Sequence, residues 1–320
     1  MPNYLPMLAQ TGSGTPPVGD TWLHELKWDG VRAVTSWDGA AVAMRSRNDN
    51  EMSATYPELA RGARLLEPGV ILDGEVVTLD ADGVPSFELL QRRMNLHAPG
   101  LVREAGATVP VTYVVFDLLA RRSESLVTTP LEERQAELAE LELPTGFVLS
   151  AIHDDPDPIW QFAHERGVEG VVSKRRESLY RPGVRSPDWV KSVVFRSVRA
   201  LVVGFTEGAG GRSGGFGALI LGLRDGESMR WVGSVGSGFS ESDVRTIRAA
   251  LDQMATPETP FEASVQVPGQ ITWVEPALVA MVQYKQWTGA GRLRGPSFKG
   301  FTDSPPETIT WEAEGPKAPG

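Results

Sequence analysis

The texture of the chain changes near residues 194–199. Before that point, apolar runs such as GVILDGEVVTLD (69–80), VTYVVFDLLA (111–120) and GVEGVVSKR (167–175) alternate with helical stretches such as PLEERQAELAELE (130–142) and PIWQFAHERG (158–167). That alternation predicts a mixed domain of strands and helices over residues 1–196. After Arg199 the chain breaks into short, glycine-punctuated β segments, ALVVGFTEG, GGFGALILGLRDG and MRWVGSVGSG. One helical stretch at 240–254 and further strands near 270–287 follow. Five or so short strands and one helix suit a small barrel over residues 197–306. The α+β total over 320 residues fits two domains. GAGGRSGGFG (208–217) reads as a flexible loop inside the second domain. The Pro- and Glu-rich end, 307–320, is expected to be loosely ordered.

Composition removes several classes of chemistry. The chain has no cysteine, so disulfides, thiolate metal sites and cysteine nucleophiles are excluded. His24, His97, His153 and His164 are scattered without metal-ligand spacing. Any metal would therefore be a hard ion held by oxygen, such as Mg²⁺. No apolar run approaches the roughly 20 residues of a bilayer span, and the opening MPNYLPMLAQTGSG has neither a basic nor an apolar leader region. These features predict a cytoplasmic protein with no membrane partner. A net charge of −10 argues against indiscriminate coating of nucleic acid but leaves room for a local basic groove. Cations gather at Arg45 and Arg47, Arg92 and Arg93, Lys174 to Arg176, Arg181 and Arg185, and Arg292, Arg294 and Lys299. Taken singly, each of these is read more simply as a solvated face.

A few side chains stand out against their surroundings. In HELKWDGVRA (24–33), Lys27 sits between Leu26 and Trp28, two residues before an Asp-Gly turn signal, where it can project into a pocket. An exposed lysine on an edge strand is an equally good reading of this segment alone. A lysine nucleophile must present its free amine, which requires burial or neighbouring cations; Lys174 and Lys191, with a bound Mg²⁺, could supply them. Glu75 in ILDGEVV and Glu169 in GVEGVV place carboxylates in apolar strands, a costly arrangement unless each is paired or bound to metal. Phe116 in YVVFDLL fits the core, and an aromatic at a strand end can also stack on a base. Arg181, Arg185 and Lys191 in SLYRPGVRSPDWVK (178–191) are spaced to reach one anion. GGRSGGFG (210–217) matches neither glycine-rich phosphate loop and reads as a solvent loop near DNA.

In order along the chain stand Lys27-Trp28-Asp29-Gly30 with Arg32, Ser46-Arg47-Asn48, Leu72-Asp73-Gly74-Glu75, Tyr113 to Asp117, Glu169-Gly170-Val171-Val172 with Lys174, and Trp189-Val190-Lys191. This ordered set resembles the covalent nucleotidyltransferase family of ATP-dependent DNA ligases, RNA ligases and mRNA capping enzymes. From PMLA near the start through RLRGPSFKGF near the end, the chain is most similar to the ligase domain of bacterial ligase D. The resemblance implies a nucleotidyltransferase (adenylation) domain with antiparallel and mixed sheets, followed by an all-β OB-fold domain. It implies that Lys27 attacks the α-phosphate of ATP to form lysyl-AMP, with Asp29 in the catalytic set. Glu25 and Phe116 would hold the adenine. Arg32, Arg47 and Glu75 would contact the ribose or a DNA 5′-phosphate, and Arg185, Lys174 and Lys191 would surround the α-phosphate. Glu75 and Glu169 would bind Mg²⁺, with Mn²⁺ as an alternative ion. Nicked or broken duplex DNA is the implied substrate, a Ku-like end-binding protein the implied partner, and a monomer at work in DNA repair or end joining near the nucleoid the implied setting.

The chain departs from the family pattern twice. Val193 stands where a lysine commonly follows Lys191, and Lys299-Gly300-Phe301-Thr302-Asp303-Ser304 is no clear match to the Arg-x-Asp-Lys element of the OB domain. That element orients pyrophosphate, so both departures bear on self-adenylylation more than on sealing. Lys299, Arg292 or Arg294 could substitute. Two other readings follow: a weakened homologue acting as a nick- or end-binding module, and an RNA ligase.

Overall fold

The structure is a computed structural model that describes residues 1–96, 98–210 and 214–316. It divides into two compact units, Met1–Val194 and Phe195–Gly320. His97 and residues 211–213 of the glycine-rich loop lie outside the described residues.

The first unit carries two sheets. One orders β1 (Leu8–Thr11), β10 (Arg185–Val193), β9 (Gly170–Arg175) and β2 (Trp22–Leu26), with β1 parallel to β10 and the other pairs antiparallel. The other orders β4 (Val42–Ser46), β3 (Val31–Trp37), β5 (Val70–Val77), β6 (Thr112–Arg121) and β7 (Glu124–Ser125), with β8 (Phe147–Leu149) parallel to β6. Helices α1 (Pro57–Ala63), α2 (Phe87–Gln91), α3 (Pro99–Thr108), α4 (Leu131–Ala139) and α5 (Pro156–Arg166) complete the unit. Near-continuous burial along β5 and β6 marks them as central strands. Their apolar side chains form the main core with Tyr56, Leu59, Leu138 and Phe147. A second cluster, Met7, Val34, Ile71, Leu119, Tyr180 and Trp189, draws on both sheets.

Two motif glycines are required by close backbone approach. A Cβ on Gly170 would lie 2.0 Å from the Ser192 carbonyl oxygen, and its φ of 146° disfavours other residues. A Cβ on Gly30 would lie 2.2 Å from the carbonyl oxygen of Val76. These glycines let β10 close on β9 and let the segment after Lys27 lie against β5.

In the second unit an antiparallel sheet orders β13 (Ser228–Val235), β12 (Phe216–Asp225), β11 (Arg196–Glu207), β15 (Ile271–Tyr284) and β14 (Ala255–Thr256), with β18 (Ser297–Thr302) also on β15; β16 (Gln286–Trp287) pairs β17 (Leu293–Arg294) separately. The 14-residue β15 pairs three strands, as a curled OB-type sheet requires. On it packs α6 (Glu241–Gln253), opened by a Ser240/Asp243 capping box and burying Val244, Ile247 and Leu251.

Within residues 307–320, the described part, 307–316, departs from expectation, and 317–320 lie outside the described residues. Residues 307–316 are ordered: Ile309 is fully buried, its carbonyl accepts from the Arg224 N–H at 3.0 Å, and a short helix α7 (Trp311–Glu314) follows. Glu314 accepts from the Arg199 N–H at 3.0 Å and from its Nε at 2.7 Å. Average composition concealed two apolar anchors, Ile309 and Trp311, and one well-placed carboxylate. Phe216 and Gly217, grouped by sequence with the loop, begin β12, and Phe216 is fully buried.

Candidate active site

A cavity of about 490 Å³ opens in the first unit, lined by residues of both sheets. Lys27 leaves the end of β2 with its N–H donating to the Gly170 carbonyl at 2.8 Å. That contact brings it opposite Glu169, and the two side chains, 20% and 13% exposed, form an ion pair. Trp28 and Gly30 continue the wall; Asp29 between them is not part of it.

Glu25 and Lys174 face each other across β2 and β9, Nζ to Oε1 at 2.6 Å, with side chains only 4% and 3% exposed. Burial pushes the Glu25 carboxyl upward, and Lys174 opposes the rise. Sequence grouped Lys174 with Arg185 and Lys191, but its ammonium turns inward. It also donates to the Phe116 carbonyl at 3.2 Å and lies 4.5 Å from the ring centres of both Phe116 and Trp189. A buried ammonium needs a counter-charge, and Glu25 is the one in reach.

Arg32 is likewise committed. Its Nε and Nη2 each donate to Asp73 at 2.6 Å, and its guanidinium stands 4.4 Å over the Phe116 ring. Burial alone would lower its basicity, but Asp73 outweighs it and the balance is upward. The Tyr180 hydroxyl donates to the second Asp73 oxygen at 2.6 Å and accepts from the Met7 N–H at 2.9 Å, which ties the approach to β1 to the same network. Gln135 donates to the Phe116 carbonyl at 2.7 Å. The neighbouring Asp117 makes a fully buried two-point pair with Arg134 at 2.7 and 2.8 Å.

At the cavity wall Glu75 has its carboxyl pushed up to about 7. Burial is the largest cause; Arg32 and Lys27 pull it down, while Asp73 and Glu169 push it further up. Arg47 and Arg185 are exposed on the wall, and Lys191 is half-buried there. Arg185 also donates to the Ala9 carbonyl.

Of the residues singled out by sequence, the fold therefore gathers Glu25, Lys27, Arg32, Arg47, Glu75, Phe116, Lys174, Arg185 and Lys191 on one cavity, with Glu169 held to Lys27. It leaves Asp29 aside. Trp189, Asp73 and Tyr180 were missed as site residues. Asp73 stood in the same segment as Glu75, yet its partner Arg32 is 41 residues away and no local pattern joins them.

Residues 6–192 match the profile of the ATP dependent DNA ligase domain, and residues 212–304 that of the ATP dependent DNA ligase C terminal region. The chain belongs to the ATP-dependent DNA ligase family. The Multifunctional non-homologous end joining protein LigD of Mycolicibacterium smegmatis is 35% identical over 97% of this chain. The chain spans about 40% of the length of that relative. The crystal structure of the ligase domain from M. tuberculosis LigD is 33% identical, with a TM-score of 0.53, and covers 96% of this chain and 98% of its own. A mycobacterial DNA ligase D complexed with ATP and MES is 32% identical, with a TM-score of 0.53, over 96% of this chain and 98% of its own. As in those ligases, a nucleotidyltransferase unit precedes an OB-like unit. Among the described residues no helix is long and apolar enough to cross a membrane.

Proposed function

We propose that this family member seals breaks in duplex DNA through a lysyl-AMP intermediate on Lys27. The observation that carries this reading is Lys27 on the wall of a cavity that also presents Glu25, Phe116, Arg47, Arg185 and Lys191. In the first step the Lys27 nitrogen attacks the α-phosphorus of ATP, an N–P bond forms, the P–O bond to pyrophosphate breaks, and the nitrogen loses a proton. Arg185 and Lys191 neutralise the phosphate oxygens, and Glu25 with Phe116 holds the base. A DNA 5′-phosphate oxygen then displaces Lys27 from the AMP phosphorus. The 3′-hydroxyl finally attacks the 5′-phosphorus and AMP departs. Arg32 is fixed by Asp73 before substrate arrives, so its contact with ribose or 5′-phosphate costs little reorganisation.

The donor set fits Mg²⁺, or Mn²⁺ in its place. Glu75 and Glu169 are oxygen donors, and Glu75 carries the cost of its own burial together with the charge of Glu169. Among the described residues no group of three or more His, Cys, Asp or Glu side chains is placed to hold an ion, so Glu75 and Glu169 are the protein ligands we propose. When bound by Glu75 and Glu169, the ion would draw off carboxylate charge that now pairs with Lys27 and would neutralise the triphosphate.

The relatives' names support a setting in end joining; a Ku-like partner at DNA ends, a monomeric state and a place near the nucleoid are our extensions of that reading. Val193 pairs with Gly170 in the sheet, and Lys299 is exposed on β18 while Arg292 packs over Trp231 at 4.3 Å. Lys299 is thus the most accessible of the three cations proposed to assist pyrophosphate release. The test is α-labelled ATP with Mg²⁺, following label on denatured protein and on a nicked duplex. Label on the protein and then in AMP-DNA, both absent in Lys27→Ala, is expected. An unchanged adduct in Lys27→Ala would move the nucleophile elsewhere, and binding of nicks without label or sealing would favour the binding-module reading.

A further inference from the structure

The Arg32–Asp73 pair is one side of a closed ring of hydrogen bonds. Asp73 on β5 accepts from Arg32 Nε at 2.6 Å on one oxygen and from Nη2 at 2.6 Å on the other. That second oxygen also accepts from the Tyr180 hydroxyl at 2.6 Å, and the hydroxyl accepts from the Met7 N–H at 2.9 Å. The Met7 carbonyl closes the ring by accepting from Arg32 Nη2 at 3.3 Å. Met7, Asp73 and Tyr180 are all buried. Tyr180 lies between β9 and β10, outside the six motif segments. Its N–H donates to the Val127 carbonyl at 3.0 Å, and its ring stands edge-on to that of Trp189 at 5.8 Å. The core, and not a ligand, therefore sets where the hydroxyl stands.

We propose that Tyr180 is a positioning residue for AMP transfer to the DNA 5′-phosphate, acting through Asp73 to hold Arg32 at the angle in which it meets that phosphate. This rests on the reading of the cavity as the nucleotide site. A guanidinium has five N–H groups. The ring takes three of them, one on Nε and two on Nη2, and leaves the two of Nη1. Arg32 forms part of the cavity wall, so those two are what it offers a ligand there. Asp73 secures its positive charge, and a charged donor pair suits a phosphate oxygen better than a neutral ribose hydroxyl. Arg32 alone does not fix this geometry, because the terminal torsion of an aspartate is soft and a turning carboxylate carries the guanidinium with it. The Tyr180 hydroxyl pins one of the two oxygens. It has a single proton, and with a lone pair taken by the Met7 N–H, that proton goes to Asp73. Burial and the Asp73 charge push the phenol well above its usual value, so it remains a donor. Without the hydroxyl the fork survives but its plane swings, and a shift of about 1 Å at such a contact lowers the rate.

The experiment loads the full chain with labelled AMP, mixes it with excess nicked duplex and follows AMP transfer under single turnover. It compares the unaltered chain, Tyr180→Phe, Arg32→Lys and the double variant over a range of nick concentrations, following slow variants for hours. In Tyr180→Phe the maximal rate constant falls about tenfold, the size expected for loss of one hydrogen bond to a charged group. The half-saturating nick concentration and the fraction of loaded protein that reacts stay close to those of the unaltered chain. Arg32→Lys has already lost the fork, so adding Tyr180→Phe to it changes the rate constant by less than about twofold. A merely structural role lowers the reacting fraction and leaves the rate constant alone; that result, or an equal factor in both backgrounds, overturns the proposal. If Tyr180→Phe does not fold, Tyr180→His, whose ring N–H still donates at shorter reach, takes its place in the same comparison. If the unaltered chain takes no label on Lys27, the reading of the cavity itself fails and the proposal with it.

Discussion

Glu75→Gln should make the metal-free protein more stable while destroying its activity. The Glu75 carboxyl is pushed from 4.5 in the unfolded chain to about 7 in the folded one, chiefly by burial. Because the folded value is the higher, the folded chain binds more protons, and the group's favourable contribution is lost as pH rises through 7. The penalty is absent below about pH 4.5 and complete above about pH 7. A shift of about 2.5 units corresponds to roughly 3 kcal/mol. Glutamine keeps the shape without the charge, so at pH 8 in EDTA the variant should gain about that much. For a unit of this size that is a rise in Tm of roughly 6–12 °C. Near pH 4.5 the two proteins should melt together. The assay is thermal unfolding from pH 4.5 to 8.5 in EDTA, followed by lysyl-AMP formation with Mg²⁺. Equal melting temperatures at pH 8, or a lower one for the variant, would refute the argument and mark Glu75 as part of a satisfied structural network. The opposite signs for stability and activity are those of a site strained to receive a cation.

Three further expectations follow from the same contacts. Asp117→Ala leaves the buried Arg134 guanidinium without its carboxylate and should cost about 3–5 kcal/mol, read from denaturant unfolding; a cost under about 1 kcal/mol would mean that water or Thr129 and Ser178 satisfy it. Ile309→Ala should destabilise the second unit by about 2–5 kcal/mol, since Ile309 is fully buried, and a neutral result in calorimetry would return residues 307–316 to the loosely ordered class expected from composition. If Arg47 neutralises one DNA phosphate, replacing it with alanine should make the log–log salt slope of DNA affinity shallower by about 0.9, so that the loss of affinity between about 50 and 200 mM salt is roughly three- to fourfold smaller. An unchanged slope in a binding titration would remove Arg47 from the DNA contact.

The two-part build and the gathering of Lys27 with other charged groups on one cavity were legible from residue order, because strand and helix periodicities are local and the motif segments are short and contiguous. Local patterns also placed β5, β6, β9 and α6 within a few residues of their observed bounds. What only the tertiary structure decided is which groups are already spoken for. Arg32, expected to contact ribose or a 5′-phosphate, is locked to Asp73, 41 residues away; Lys174, expected to be a phosphate ligand, is paired with Glu25, 149 residues away. Ser150, outside every motif, meets Trp28 across 122 residues. Such pairs form because burial in a shared core forces each charge and donor to find a partner, and that partner is chosen by sheet register and strand order, which no local spacing encodes. Residues 307–316 make the same point: Pro and Glu content suggested loose order, and the apolar anchors Ile309 and Trp311 with one Arg199–Glu314 pair hold them in place.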